Sequence, residues 1–475
     1  MYDVVIGLEV HIQLNTQSKL FSGAAIKFGQ APNSQACAID LALPGVLPVL
    51  NKEAVHQAIK FGLATKATIN KVNIFARKNY FYPDLPKGYQ ISQANYPIVS
   101  DGELTFDVNG IKKSVHIVRA HLEEDAGKSI HDLLQDYSAI DLNRAGCPLL
   151  EIVTAPEFYS SDEVIAYLKT LHRLVRHLNI CDGNMQEGSF RVDVNISLRP
   201  KDTTILGTRC EIKNINSFRF IEKAIQYEIE RQGAILEKGD KVIQQTRLFQ
   251  ESTGKTIAMR DKEDAQDYRY FPCPDLFPVH ISQELLDEIA SQMPPLPEDL
   301  LAQLTGHYEL SEYDAQILID NTALLQFFFK AIKEQQTPSP KAMANWLLSD
   351  ISGFANKNQI AFEDLKISPA DIALLVDRVN DKTLSSKTAK QVLTFLFEGQ
   401  THVDKIITDH NLKQVSDVGA LTQAIAEVLE QFPAQRAELK SGKDKLMGFF
   451  VGQVMKKMRG TGNPEEVQRI IQDLC

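Results

Sequence analysis

Residues 4–14 alternate apolar and polar side chains with a period of two, and a stretch written this way has one stable solution. It must form a strand with one face in a core. Val4, Ile6, Leu8, Val10, Ile12 and Leu14 fall on one side; Gly7, Glu9, His11 and Gln13 fall on the other, followed by Asn15. Same-face side chains on a strand stand about 7 Å apart. A solvated face would scatter Lys and Thr, whereas here a carboxylate, an imidazole and an amide stand in line. Structural polar networks use the same residues, so the pattern alone leaves a structural and a functional reading open.

The cleanest alternation in the chain comes at 187–200. Phe190, Val192, Val194, Ile196 and Leu198 face a core, while Arg191, Asp193, Asn195 and Ser197 face away from it. Arg209, Glu211 and Lys213 then share one face, and Asn216 or Ser217 caps a helix bearing Phe218, Ile221, Ile225 and Ile229 at helical spacing. Strands that each carry acid, base and amide on one face predict a polar-lined sheet rather than a solvated one.

At 475 residues the chain is too long for one core, so two to four domains are expected. Its net charge of −10 means that any nucleic-acid contact must come from a local basic patch. The six cysteines are widely spaced with no C-x-x-C pair, which argues against a zinc knuckle or disulfide framework and fits a reducing compartment. No run reaches the roughly 18 apolar residues of a membrane span, and Asp3 interrupts any signal-peptide pattern. A cytoplasmic protein without a membrane partner is the expectation.

Lys52–Ala64 reads as an amphipathic helix through Val55, Ala58, Ile59 and Leu63. Residues 77–92, rich in aromatics, Pro and Gly with Arg77, Lys78 and Lys87 interleaved, suit no regular element and read as an ordered loop, either binding or packed over the core. In 114–132, alternation groups Arg119, His121 and Glu123 on one face and leaves Glu124 on the other. Carboxylates beside the turn at Ala126-Gly127 suit a hard cation, or simply a solvated acidic turn. Glu151 interrupts an apolar strand, where a carboxylate is costly unless paired or liganded. Residues 244–275 add Arg247, Arg260, Lys262, Asp267 and Arg269. Carboxylates to hold Mg²⁺ and cations to neutralise phosphate charge are the combination that phosphoryl transfer needs.

Near 292–297 strand-like sequence stops and helices take over. Phe327, Phe328 and Phe329 read as bundle core, and Ser385-Ser386-Lys387 as a helix cap rather than a nucleophile. Between Arg436 and Arg459 seven Lys/Arg stand against two acids. That sign, opposite to the whole chain, favours RNA or phosphate binding by Lys443, Lys445, Lys456, Lys457 and Arg459, through shape and backbone. No phosphate-binding loop, G-x-G-x-x-G or H-E-x-x-H is present, so a nucleotide would bind through metal and sheet side chains.

Taken together, GLEVHIQL, LALPGVLPVLNKEAV, RKNYFYPDLPKGYQIS, HLEEDAGKS, DLNRAGCPLLEIV, EGSFRVDVNISLRP, EIKNINSFRF and DYRYFPCPDL resemble GatB, the B component of the tRNA-dependent amidotransferases. The tail GFFVGQVMKKMRGTGNPEEV resembles the YqeY-like domain that ends that component. The match runs through the whole chain in order; Cys273 departs from the family pattern, which has an acidic residue there. The resemblance implies an α+β fold: a glutamine-synthetase-like mixed-sheet cradle domain over 1–293, then two all-helical domains over 294–402 and 403–475. It implies a ligase that uses ATP and Mg²⁺ to phosphorylate the side-chain carboxylate of Glu on tRNA(Gln) or Asp on tRNA(Asn). Ammonia then reaches that carbon from an amidase-type A subunit, and a small C subunit holds the two larger chains together in a heterotrimer.

By position, the resemblance places His11, Glu124 and Glu151 at Mg²⁺, with Glu9 and Asp193 close to metal or nucleotide. Choosing Glu124 over Glu123 assumes that the acidic turn breaks the strand register. Arg191, Lys213 and Arg260 are the cations expected to steady the transferring phosphoryl group. Two other classes stand beside this one: a free-standing carboxylate–amine ligase, which has no need of the basic tail, and a non-catalytic RNA-binding scaffold in which Glu9, His11 and Glu151 are structural.

Overall fold

A computed structural model describes residues 2–93, 95–131, 136–261, 267–414, 418–440, 443, 445–458 and 461–474, with the side chains of residues 260, 261, 418 and 420 left out. The chain divides into two compact units, Met1–Leu296 and Pro297–Cys475. The first is built on a nine-stranded sheet and the second is helical, so the expected α+β class holds.

Twelve strands of the first unit matter here. They are β1 (Tyr2–Gln13), β2 (Thr68–Ile69), β3 (Ala76–Asn79), β4 (Tyr89–Ser92), β5 (Val99–Val108), β6 (Ile111–Glu124), β7 (Pro148–Thr154), β8 (Phe190–Pro200), β9 (Cys210–Lys213), β10 (Gln245–Gln250), β11 (Lys255–Asp261) and β12 (Phe271–Pro272). The large sheet runs β11-β10-β9-β8-β1-β7-β6-β5-β2, with β1 at its centre. Its pairings are antiparallel except β9 with β10.

One face of the sheet is covered by helices. The helix α1 (Lys52–Ala64) packs on β5 and β6, α2 (Ser161–His177) on β5, and α3 (Phe218–Glu237) on β8. Each starts at a side-chain cap: Asn51, Ser160 and Ser217 accept a backbone N–H from the first turn, worth about 1 kcal/mol apiece. Ile6, Leu8, Val10 and Ile12 of β1 are buried against Leu168, Leu171, Ile221 and Ile225 in one apolar cluster. Burying such a side chain contributes about 1.5–3 kcal/mol, so this face fixes the register of every strand and leaves the odd-numbered residues of β1 on the opposite face.

The segment 77–92, expected as a loop, contains two strands. β3 and β4 pair with each other, and β12 adds to β3. Their cations and aromatics hide the alternation by which strands are read. Arg77, for example, stacks on the Tyr89 ring at 4.0 Å instead of pointing to water.

In the second unit two apolar clusters are separate. One gathers Leu304, Leu318, Phe328, Leu347, Val376 and Leu393; the other gathers Leu421, Ile425, Phe450, Val454, Val467 and Ile471. Phe328 is fully buried with Phe327 and Phe329 packed against its cluster, as the sequence suggested. Ser385 caps the helix Ser386–Phe397 in a capping box with Thr388. Among the described residues, no helix is long and apolar enough to cross a membrane.

Candidate functional site

Strand register assembles the site. His11 of β1 stands opposite Glu151 of β7 on one side and Arg191 of β8 on the other, and Glu151 stands opposite His121 of β6. One rung thus carries His121, Glu151, His11 and Arg191 across four strands. Two residues along, Glu9 stands opposite Asp193, and a further rung aligns Asn195, Glu211 and Thr246. All of them lie on the face the helices leave open.

Two carboxylate clusters result. In the first, His11 Nε2 lies 3.4 Å from Glu123 Oε1 and 3.3 Å from Glu151 Oε2, while His121 Nε2 lies 3.4 Å from Glu151 Oε2 and 3.8 Å from Glu123 Oε2. In the second, one oxygen each of Glu9, Asp193 and Glu211 lies within 4.8 Å of the others. Lys213 Nζ bridges this group, 2.5 Å from Asp193 Oδ2 and 3.0 Å from Glu211 Oε1. Asn195 Nδ2 donates to Glu9 Oε1 at 3.1 Å, and the Thr246 hydroxyl donates to Glu211 Oε2 at 2.9 Å.

The electrostatics follow from burial and crowding. Burial pushes the Glu9 carboxyl up, and the charges of Glu151, Asp193 and Glu211 push it further. For His11, burial works against the charged form, but hydrogen bonds to Glu123 and Glu151 outweigh it and raise the imidazole to about 10. The Glu123 carboxyl shows the reverse: burial would raise it, yet its bonds to His11 and His121 hold it well below the usual carboxylate range. Glu151 is lowered likewise, burial being outweighed mainly by His121. Lys213 is raised because Asp193 and Glu211 overcome its burial.

Glu124 stands apart from both clusters. Strand β6 continues through Glu124 with Glu123 opposite Leu149 and Glu124 opposite Pro148, and no register shift occurs there. Odd positions therefore keep the polar face to the end of the strand, and the assumption that the acidic turn breaks register is corrected. Glu124 instead pairs with the Lys87 ammonium and accepts the Ile91 backbone N–H at 2.8 Å. Glu123 takes the place expected for it beside His11 and Glu151.

Arg191 is held by Asp125, whose Oδ2 accepts from its Nη2 at 2.7 Å. From the segment 77–92, Lys78 is kept charged against its burial chiefly by Glu123. The backbone of Arg260 pairs with that of Thr246, but its side chain, Lys262 and Arg459 lie outside the described residues. In the tail, Lys443 pairs with Glu438 at 3.0 Å and Lys457 with Glu427, while Lys445 and Lys456 are exposed. Sequence reasoning grouped His121 and Glu211 on polar faces without giving them a role, read Asp125 only as one of the carboxylates of an acidic turn, and passed over Thr246. The spacing Glu211-x-Lys213 was the available signal for Glu211; the acidic turn signalled Asp125, but nothing local pairs it with Arg191, which is 66 residues away.

The donor sets suit a hard divalent cation: two carboxylates with an imidazole, and three carboxylates, all largely shielded from water. His121 meets the cluster through Nε2, while its buried Nδ1 has no hydrogen-bond partner among the described residues.

Comparison with known proteins gives the family. Residues 4–287 match the family model described as the GatB/GatE catalytic domain, and residues 326–475 match the GatB domain. The chain is 52% identical over 470 residues to the B component of the aspartyl/glutamyl-tRNA(Asn/Gln) amidotransferase of Coxiella burnetii, covering 99% of this chain and 98% of that one. It is 51% identical over 471 residues to the protein of the same name from Legionella pneumophila, again covering 99% and 98%. A catalytic-domain match over the unit that holds both carboxylate clusters, with half-identical relatives along the full length, places the chain in the GatB family of aspartyl/glutamyl-tRNA amidotransferase components.

Proposed function

We propose that this chain is the carboxylate-activating component of a tRNA-dependent amidotransferase. With ATP it phosphorylates the side-chain carboxylate of Glu on tRNA(Gln), Asp on tRNA(Asn), or both; ammonia then displaces the phosphate, leaving Gln-tRNA(Gln) or Asn-tRNA(Asn). It works in the cytoplasm within a heterotrimer, where an amidase-type A subunit supplies ammonia and a small C subunit holds the pair together. The observation that carries this reading is the pair of adjoining carboxylate clusters on one shielded sheet face.

His11, Glu123 and Glu151 would hold one Mg²⁺, and Glu9, Asp193 and Glu211 a second. When bound, Mg²⁺ neutralises charge on the phosphate oxygens. Everything else rests on protein groups. Lys213, fixed between Asp193 and Glu211, presents a positive charge that needs no reorganisation as negative charge builds on the transferring phosphoryl group. Arg191, oriented by Asp125, does the same from the neighbouring rung. Asn195 donates to Glu9 Oε1 and so orients that carboxylate among the groups that would hold the second cation. Arg260 is assigned to the nucleotide as a further cation for its phosphoryl groups. The tail cations Lys443, Lys445, Lys456, Lys457 and Arg459 are assigned to the tRNA backbone.

The acyl-phosphate step is what makes the amidation possible, since phosphate leaves an acyl carbon far more readily than hydroxide does. The test withholds ammonia: the assembled heterotrimer receives Mg²⁺, γ-labelled ATP and Glu-tRNA(Gln) or Asp-tRNA(Asn). Label should leave ATP only with the misacylated tRNA present and should stop in Glu123→Gln. Release equally fast without tRNA would overturn the reading.

A further inference from the structure

We propose that Thr246 is a positioning residue for Glu211, and that the buried Glu228–Arg247 pair is the anchor that lets it act. The inference rests on the reading that Glu9, Asp193 and Glu211 receive a divalent cation.

Strand β10 alternates across the sheet, so neighbouring residues serve opposite faces. Thr246 faces the site, 2% exposed, and its hydroxyl donates to Glu211 Oε2 at 2.9 Å. The other oxygen of Glu211 meets Lys213 Nζ at 3.0 Å. Each oxygen thus has its own donor, one on β9 and one on β10, and rotation of the carboxylate would break both contacts. A ligating carboxylate held in this way loses less freedom when it takes a cation, which is why outer partners of ligands count for so much.

Thr246 can do this only if β10 stays in place, and the strand's attachment to β9 is slight. Three residues pair in parallel: Glu211 with Thr246, Ile212 with Arg247 and Lys213 with Leu248. On its other edge β10 pairs with β11 along Gln245–Gln250, with a register shift between Thr246 and Arg247, and a further restraint comes from behind. Arg247 donates from Nε to Thr256 Oγ1 at 2.8 Å and from Nη2 to Thr256 O at 2.9 Å, tying β10 to β11. The same Nε lies 3.0 Å from Glu228 Oε1 on α3, a carboxylate with no solvent exposure that also accepts from Arg231 at 2.8 Å and Gln232 at 3.1 Å. The helix thereby clamps the strand at the residue next to Thr246. A charged network this complete on the closed face gives the open face a fixed point from which one hydroxyl aims at one carboxylate oxygen.

The test is a titration of the full-length chain with Mn²⁺ alone, followed by electron paramagnetic resonance, in wild type, Thr246→Val, Thr246→Ser and Glu211→Gln. Valine keeps the shape and removes the hydroxyl; serine keeps the hydroxyl. The expected result is loss of one Mn²⁺ in Glu211→Gln, weakening of that same ion by about 10- to 100-fold in Thr246→Val, and near-wild-type affinity in Thr246→Ser. Thr246→Ala repeats the deletion without β-branching if valine lowers the melting temperature. Wild-type affinity in both hydroxyl-deleted variants, with Glu211→Gln still losing an ion, overturns the role of Thr246. Unchanged binding in Glu211→Gln overturns the cation reading of the second cluster itself.

Discussion

The large sheet buries carboxylates on both faces, and the two faces treat them differently. On the helix-covered face Glu228 is matched: two guanidinium groups, an amide and the Thr256 hydroxyl meet its two oxygens, and its carboxyl is lowered because these donors outweigh burial. On the open face five carboxylates, Glu9, Glu123, Glu151, Asp193 and Glu211, share the Lys213 ammonium and the imidazoles of His11 and His121 within contact distance. One face balances its charge inside the protein; the other leaves negative charge in excess. Burial alone therefore does not mark a site. Burial with like charges facing one another does, because the fold must hold them together against repulsion for something that arrives later.

The sharpest way to break this contrast is to neutralise the excess. Glu123→Gln and Glu151→Gln should each lower tRNA-dependent phosphoryl transfer by about 10³-fold, since several kcal/mol of charge stabilisation goes with the cation. Their melting temperatures should fall near neutral pH, because each change removes a carboxylate that the His11 and His121 imidazoles hold ionised. Labelled-phosphate transfer and thermal melting on the same samples check both halves, and retained transfer would make the open face structural. Next in size is Glu228→Ala, which leaves Arg231 and Arg247 without their counter-charge. It should cost about 3–5 kcal/mol in urea denaturation of the first unit; a cost below about 1 kcal/mol would erase the distinction between the faces.

Acidity separates the faces more gently. His11 is raised above its ordinary 6.5, so the stability from its pairs with Glu123 and Glu151 is fully present below about 6.5 and is lost as pH rises through about 10. With cations removed by chelator, the melting temperature should fall across that window, and Glu151→Gln should flatten the fall. Glu228 has the opposite sign: its lowered carboxyl contributes above the ordinary 4.5 and loses that contribution on acidification. Smallest of all should be Glu124→Gln. Its partner is Lys87, away from the cluster, so Mn²⁺ affinity should stay at the wild-type value where Glu123→Gln loses it. The opposite ranking would restore Glu124 to the cation and put Glu123 outside.

Much of this arrangement was legible from strand alternation. The period of two in 4–14 and 190–198 placed Glu9, His11 and Asp193 on a shared kind of face, and the lone acid in the 148–154 strand singled out Glu151. Alternation also pointed to Glu123, and the structure agrees with it over the positional resemblance that favoured Glu124, because β6 keeps its register to its last residue. The β3–β4 pairing was hidden for the converse reason: its side chains are engaged in ring and carboxylate contacts such as Arg77 with Tyr89, and Lys87 just before β4 is taken by Glu124, which leaves no regular apolar pattern.

By itself the sequence determined which residues the alternating strands, such as 4–14 and 190–198, turn toward the core and which toward the open face, since that follows from the pleat and needs no partner. It also narrowed the start of α3 to Asn216 or Ser217 and read a helix cap at residues 385–387, because a cap is a contact between near neighbours. Only the tertiary structure decided which strands lie side by side, and so which acids meet. His11 reaches Glu151 across 140 residues, Asp125 holds Arg191 across 66, and Thr246 reaches Glu211 across 35. Those meetings are matters of sheet order and register, which are set by how the apolar face packs on α1, α2 and α3, and no local pattern encodes them.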